Sequence, residues 1–146
     1  MQSAWNDRDA DAIISRYANF GRDLALRVYT TRLLGQDPSL VLHGGGNTSV
    51  KTRFSDLNGD ATDVLCVKGS GWDMGTIEPD GLPAVRLAPL LKLRAREALS
   101  DEEMVRLQRA NLIDPAAPNP SVQTLLHAFI SHKFIDHTHS TAVLSL

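Results

Sequence analysis

In the stretch Leu40-Val-Leu-His-Gly-Gly-Gly-Asn-Thr-Ser-Val-Lys-Thr-Arg53, two short runs flank three consecutive glycines. The first run, residues 40–42, is apolar, and the second, residues 48–53, alternates its side chains as a half-buried strand does. Glycine adopts the positive φ angles that tight connections require. The stretch therefore predicts a strand, a glycine loop and a second strand.

The same arrangement recurs downstream. Leu57-Asn-Gly-Asp60 is a turn signal, and it precedes an expected strand over residues 64–68. Gly69-Ser-Gly71 forms a second glycine loop directly after that strand. A third loop, residues 115–120, precedes Ser121.

Helical spacing of apolar residues predicts helices over 9–35, 87–99, 101–110 and 121–130. Gly21 is expected to break the first into two helices and Gly35 to end it. Ser100 and Glu103 fit a capping box, and Ser121 fits an N-cap. Because these helices alternate with strands, the fold class is α/β or α+β.

Composition limits the function classes. The 146 residues suffice for one domain, and a formal net charge of -2 with dispersed basic residues argues against nucleic acid and anionic membranes as partners. The sequence has no long apolar span, and its first residues are too acidic for a signal peptide. Cys66 is the single cysteine, and it is expected to be a buried thiol. We expect a cytoplasmic protein.

His137 and His139 lie in the β-branched and aromatic stretch His132-Lys-Phe-Ile-Asp-His-Thr-His139, which continues to Val143 and predicts a strand. Side chains two residues apart on a strand point to the same face, so both imidazoles aim at one point. Zinc is a metal that convergent imidazoles commonly bind in proteins. The alternative is two half-buried histidines that are satisfied by hydrogen bonds.

The three loops contain donors suited to an anion. Glycines bring backbone N–H groups close to a ligand, and Asn47, Ser70 and Ser121 add side-chain donors. Each loop taken alone is an ordinary turn. Together with His137 and His139, the loops suggest a metal site beside a phosphate site.

The sequence resembles the class II aldolase/adducin family. Within that family, its motifs are most similar to those in the aldolase half of bifunctional rhamnulose-1-phosphate aldolase/alcohol dehydrogenase proteins. Four stretches carry the resemblance in order: His43-Gly-Gly-Gly-Asn-Thr-Ser49, Val67-Lys-Gly-Ser-Gly-Trp72, Asn119-Pro-Ser-Val-Gln-Thr-Leu-Leu-His127 and His137-Thr-His139.

The resemblance implies a three-layer α/β/α domain with a central, largely antiparallel sheet. It also implies a homotetramer with active sites at subunit contacts. The implied reaction is zinc-dependent retro-aldol cleavage of a sugar phosphate, rhamnulose 1-phosphate, to dihydroxyacetone phosphate and lactaldehyde. The positions that match the family's phosphate and zinc positions are Gly46, Asn47, Ser70, Gly71 and Ser121 for phosphate and His137 and His139 for zinc (Zn2+).

Two departures from the family affect that expectation. Gln123 stands at the position of the catalytic glutamate, and an amide cannot exchange a proton near neutral pH. Val122 stands where the fuculose-type aldolases of the family have a second hydroxyl, so one phosphate contact would be lost or replaced here. The third zinc histidine of the family would fall after Leu146, so we expect one domain over 1–146 that lacks its C-terminal part. We therefore expect impaired cleavage and weak zinc binding. The alternatives are a non-catalytic, adducin-like binding or assembly module and a sugar-phosphate 4-epimerase.

Overall fold

The computed structural model describes residues 2–145, except for the side chain of Ala142. The strands are β1 (Asn47–Ser55), β2 (Ala61–Val67), β3 (Ala84–Arg86) and β4 (Phe134–His137). The helices are α1 (Asp7–Arg16), α2 (Arg22–Gly35), α3 (Leu87–Lys92), α4 (Asp101–Ala110), α5 (Thr124–Phe129) and α6 (Thr141–Leu144). Short 3-10 turns lie at Ala18–Phe20, Met74–Thr76, Pro79–Gly81 and Leu93–Ala95.

The strands form one antiparallel sheet in the order β3-β2-β1-β4. The turn at 56–60 reverses the chain between β1 and β2, and Gly59 has the positive φ of 82° that the turn needs. Asn47, the first residue of β1, pairs with His137, the last residue of β4. The loops after β2 and before β1 therefore lie at the same end of the sheet as the histidines.

The sheet is buried on both faces. Val64 and Cys66 face the core beneath α1 and α2, whereas Leu65 and Val67 face a second core beneath α3 and α5. Because alternate residues of β2 enter different cores, residues 64–67 of the strand form a continuous apolar run. Helices on both sides of an antiparallel sheet confirm the predicted three-layer α/β/α fold.

Local signals account for several helix ends. Gly21 has a φ of 85° between a 3-10 turn and α2, so it separates the first two helices as predicted. Helix α2 ends at Gly35, also as predicted. The capping box of α4 is present: Ser100 Oγ accepts from the Glu103 N–H, and the Glu103 carboxylate accepts from the Ser100 N–H.

Four predicted elements differ from the structure. Residues 40–42 form no strand: the N–H groups of Leu40 and Val41 both donate to Asp37 O in a turn that ends at Leu40, and residues 41 and 42 are irregular. Strand β4 ends at His137, and the chain turns into α6 at residue 141. The helix expected over 87–99 is limited to α3 and a 3-10 turn, and the helix expected over 121–130 begins at Thr124 with Gln123, not Ser121, as its N-cap residue.

Three alternate residues of β1 reach toward α5. The Asn47 side chain bonds Ser121 ahead of the helix, and Ser49 Oγ bonds His127 Nδ1 within it. Lys51 Nζ donates to the carbonyl oxygens of His127, Ile130 and His132, at 2.9, 2.6 and 2.9 Å. The central strand therefore fixes both ends and the middle of a helix that is too short to be stable alone. Within residues 2–145, no helix is long and apolar enough to cross a membrane.

Candidate functional site

The second glycine loop and the loop before α5 are joined through their backbones. Ser70 N–H donates to Asn119 O at 3.1 Å, and Ser121 N–H donates to Lys68 O at 3.2 Å. Gly69 and Pro120 form an isolated β-bridge between these bonds. Two loops that are separated by about 50 residues in the sequence thus form one surface.

Asn47 connects the first glycine loop to that surface. Its Nδ2 donates to Ser121 Oγ at 2.6 Å, and its side chain is buried. Asn47 Oδ1 is also buried and has no hydrogen-bond partner among the described residues. Buried polar atoms are normally paired, so this atom marks a place that a ligand or water can satisfy.

Two of the candidate glycines have backbone conformations that other residues rarely adopt. Gly46 has a φ of 74° and Gly71 a φ of 83°. At Gly46, a Cβ atom would also lie 2.7 Å from Met74 Sδ and 3.1 Å from His137 O. The glycine is therefore required both for its φ angle and for the close packing of the loop against β4.

Lys68 is a site residue that the sequence reasoning missed. Its side chain is 5% exposed, yet its ammonium makes no hydrogen bond or ion pair with the described part of the chain. Burial lowers the pKa of Lys68, and the negative charge of Asp73 opposes that shift. A lysine that directly follows the apolar run 64–67 and precedes a glycine loop is the signal that could have identified it.

A contact between two side chains lies across the two glycine loops. His43 Nδ1 is 2.8 Å from Asp73 Oδ2, which is within hydrogen-bonding distance. Asp73 Oδ1 accepts from the Gly75 N–H at 2.8 Å and starts the 3-10 turn there. Since His43 precedes the first glycine loop and Asp73 follows the second, the pair holds the two loops together. Lys68, which interacts with the charge of Asp73, therefore lies close to both loops.

The two predicted zinc ligands come together, although only His137 lies on β4. The rings of His137 and His139 have centroids 4.8 Å apart at an interplanar angle of 59°. His137 Nδ1 is 2.8 Å from Gln123 Oε1. Desolvation, and then the neighbouring His139, lowers the pKa of His137, which favours the neutral form that binds metals.

These residues fit part of a zinc site. Neutral imidazoles are suitable donors, and a catalytic zinc takes three protein ligands with one open position. Among the described residues, no group of three His, Cys, Asp or Glu side chains is arranged to hold a metal ion. His137 and His139 could supply two ligands to a zinc ion, and the described residues place no third His, Cys, Asp or Glu side chain beside them.

The structure thus brings the predicted residues into two adjoining groups. Asn47, Ser121 and the backbone of Ser70 form the first, with Gly46 and Gly71 shaping its loops. Gln123, His137 and His139 form the second. Ser121 links the groups, because its Oγ also accepts from the Gln123 N–H at 3.1 Å. The Ser70 side chain is exposed at the edge of the first group.

Known proteins share this arrangement of sequence and fold. The model of the class II aldolase and adducin N-terminal domain matches residues 25–146. The uncharacterized oxidoreductase YuxG of Bacillus subtilis (strain 168) is 39% identical over 131 residues, which cover 90% of this chain and 19% of that protein. The chain therefore spans about a fifth of the length of this relative.

A solved structure agrees with both findings. The N-terminal class II aldolase domain of a conserved protein from Thermoplasma acidophilum matches with a TM-score of 0.85 and 41% identity, covering 99% of this chain and 63% of that one. The family match extends over most of the sequence, and the fold agrees almost throughout. This chain belongs to the class II aldolase and adducin family.

Proposed function

We propose that this chain provides the sugar-phosphate site of a zinc-dependent class II aldolase. The proposed reaction cleaves a ketose 1-phosphate, rhamnulose 1-phosphate, to dihydroxyacetone phosphate and lactaldehyde. The observation that carries the proposal is the hydrogen bond of 2.6 Å between Asn47 Nδ2 and Ser121 Oγ, with Asn47 Oδ1 left unpaired. This bond joins the first glycine loop to the loop before α5, and backbone hydrogen bonds join that loop to the second glycine loop. The unpaired Asn47 Oδ1 leaves a buried polar atom available to a ligand at this place.

The phosphate would be held by donors of several kinds. Glycine loops present backbone N–H groups to an anion, and a nearby ammonium adds charge. Lys68 has the unused positive charge, and Ser70 contributes an exposed hydroxyl. Val122 is 70% exposed and has no hydroxyl, so this position offers the phosphate no hydrogen bond.

Asn47 can present either end of its amide to the phosphate. The hydroxyl of Ser121 both donates and accepts, so it can bond either amide atom of Asn47. Turning the amide by 180° places Nδ2 where the unpaired Oδ1 lies. The site then gains an N–H donor without losing the bond to Ser121.

The proposed chemistry assigns different work to the two groups of residues. His137 and His139, with a third ligand that is not among the described residues, would hold a zinc ion, which would stabilise the negative charge that develops as the carbon–carbon bond breaks. The phosphate contacts of the first group fix the distance between the anchored phosphate and the bond that breaks. Gln123 holds no exchangeable acidic proton, so proton transfer at the enediolate carbon would be slow.

A second function is favoured by one specific observation. Gln123 occupies the position of the family's catalytic carboxylate, and its side-chain oxygen is hydrogen-bonded to His137. A chain of this kind can bind a sugar phosphate without converting it, as a non-catalytic binding module of the same family. In that case the ligand would bind with normal affinity and remain intact.

The two functions are separated by one pair of measurements. Rhamnulose 1-phosphate binding is measured by titration calorimetry, and release of dihydroxyacetone phosphate is measured by its enzymatic reduction, both with zinc present. Binding together with zinc-dependent release supports the aldolase. Binding without release supports the binding module, and the absence of binding contradicts both.

A further inference from the structure

The amine of Lys68 has different surroundings from the amines of the other lysines. Lys51 Nζ donates to three carbonyl oxygens, and Lys133 Nζ lies 2.8 Å from Asp23 Oδ2. Lys92 is exposed on α3. Lys68 is only 5% exposed, and its amine makes no hydrogen bond or ion pair with the described part of the chain. It is therefore a buried lysine whose nitrogen is not committed to a protein partner.

Backbone donors for an anion lie close to this lysine. Lys68 is fixed where the loops meet, because its N–H donates to Thr48 O at 3.0 Å and its carbonyl oxygen accepts from the Ser121 N–H at 3.2 Å. Three residues later, Gly71 has a φ of 83°, and in the first glycine loop Gly46 has a φ of 74°. The N–H groups of both glycines make no hydrogen bond to any described residue. Glycine N–H groups in such conformations are suited to phosphate oxygens.

The amine of Lys68 is both accessible and activated. Its Nζ is not among the fully enclosed polar atoms that lack a partner in the described chain, so small molecules can reach it. The charge of Asp73 acts on the amine, which places the amine near the end of the second glycine loop. Burial lowers the pKa of Lys68, and Asp73 opposes that shift. A larger fraction of this amine is therefore neutral and nucleophilic than for an exposed lysine.

We propose that Lys68 is a covalent modification site that captures phosphate monoesters carrying an aldehyde or ketone group as an imine. The amine nitrogen attacks the carbonyl carbon and forms a C–N bond. The two protons of the neutral amine move to the carbonyl oxygen, which leaves as water. No oxidant, reductant or metal takes part in this condensation. Recognition of the phosphate rests on the proposed function, whereas formation of the imine requires no turnover.

The capture is measured on the whole chain in the presence of EDTA, with glyceraldehyde 3-phosphate as the probe. Cyanoborohydride reduces the imine to a stable secondary amine, and peptide mass spectrometry gives the labelling rate of each lysine. We expect Lys68 to be labelled about tenfold or more faster than the exposed Lys92, because a held phosphate orients the carbonyl beside the amine. Glyceraldehyde, which lacks the phosphate, should not show this preference, and inorganic phosphate should remove it.

Two substitutions provide a matched check. Lys68→Arg keeps the positive charge but cannot form an imine, so the fast labelling should disappear, whereas Lys92→Arg should retain it. Equal labelling of Lys68 and Lys92 in the unaltered chain would overturn the proposal. It would also be overturned by a preference for Lys68 that glyceraldehyde shares and inorganic phosphate leaves unchanged. Fast labelling that persists in folded Lys68→Arg would place the reactive amine elsewhere.

Titration calorimetry with inorganic phosphate separates this inference from the proposed function. Phosphate binding without preferential labelling of Lys68 contradicts the capture and leaves the sugar-phosphate site in place. Preferential labelling without release of dihydroxyacetone phosphate from rhamnulose 1-phosphate supports the capture and contradicts the aldolase. The absence of phosphate binding contradicts both.

Discussion

Ser49 Oγ lies 2.7 Å from His127 Nδ1, and both residues are fully buried between the sheet and α5. His127 Nε2 has no hydrogen-bond partner in the described part of the chain. Burial, and then the neighbouring His137 and the positive charges of Lys51 and Arg27, lowers the pKa of His127 from 6.5 to about 4, whereas the negative charge of Asp136 opposes this shift. The imidazole is therefore neutral in the folded protein at neutral pH.

This pKa predicts an acid-sensitive fold. Between about pH 6.5 and pH 4 the unfolded chain binds a proton at residue 127 that the folded chain does not, so stability falls as the pH falls through that window. The loss from His127 should total on the order of 3 kcal/mol. Urea unfolding of the unaltered chain and of His127→Gln, followed from pH 7.5 to 4, measures it. The variant should be less stable at pH 7, but its free energy of unfolding should fall less steeply between pH 6.5 and pH 4. An equally steep fall in both proteins would contradict the assignment.

Lys68→Met should separate binding from stability. Methionine fills the space of the buried lysine stem, and no ion pair to a described residue is lost, so the free energy of unfolding should stay equal or rise. Affinity for rhamnulose 1-phosphate or inorganic phosphate should fall about tenfold or more, because a charge-assisted hydrogen bond is lost. Titration calorimetry measures the affinity. Lys92→Met, at an exposed position of α3, is the control, and equal losses in both variants would exclude Lys68 from the site.

Arg27 and Asp136 should be strongly coupled. The guanidinium is 1% exposed, and its Nη2 lies 2.7 Å from Asp136 Oδ1. Asp136→Asn leaves the buried charge without its counter-ion and should cost about 2 kcal/mol, less than the ~3–5 kcal/mol of a fully buried pair because Asp136 is half exposed.

The exposed pair of Arg53 and Asp63 provides the control for that prediction. Its ions are 2.9 Å apart but both are mostly in solvent, so Asp63→Asn should change stability by less than about 1 kcal/mol. Urea unfolding followed by tryptophan fluorescence measures both variants. Similar losses in Asp63→Asn and Asp136→Asn would show that burial of Arg27 has no energetic consequence.

Gln123→Glu should raise the rate of cleavage. If proton transfer is the missing function, the carboxyl group should restore about 10²–10⁴-fold in the turnover of rhamnulose 1-phosphate with zinc present. Release of dihydroxyacetone phosphate reports the rate, and Gln123→Asn is the control that changes length but not chemistry. No gain over the unaltered chain would mean that another defect limits turnover.

His137→Ala should abolish zinc binding. Only two imidazoles meet among the described residues, so the loss of one leaves no chelating pair. Elemental analysis of protein purified without chelator gives the zinc content. His132→Ala, at an exposed position before β4, should leave that content unchanged. Zinc retained by His137→Ala would place the metal elsewhere.

Periodicity predicted those parts of the fold that depend on local physics. The alternation of side chains over residues 48–53 predicts β1, and the apolar run over residues 64–67 predicts β2. The conformational freedom of glycine predicts the break at Gly21. Strand β3 was missed, since its three residues are too few to show a period. Residues 40–42 were expected to form a strand because a short apolar run does not reveal its partner; Val41 instead packs beside Gly46.

The sequence predicts which residues form the candidate site better than it predicts the hydrogen bonds among them. Motif positions identified Asn47, Ser121 and Gln123, but the bonds among them depend on three-dimensional pairing of β1 with β4 and of the loops. Lys68 was missed because a lysine is ordinarily a surface residue, and its burial arises from tertiary packing.

The alternation of Asn47, Ser49 and Lys51 along β1 limits how the length of this chain can change. One residue inserted between Gly46 and Asn47 that was absorbed as a shift of the pairing register would turn all three side chains away from α5. The same insertion in the exposed turn at 56–60 would leave them in place. Variation in length among natural or engineered relatives should therefore collect at the β1–β2 turn and avoid the junction of glycine loop and strand.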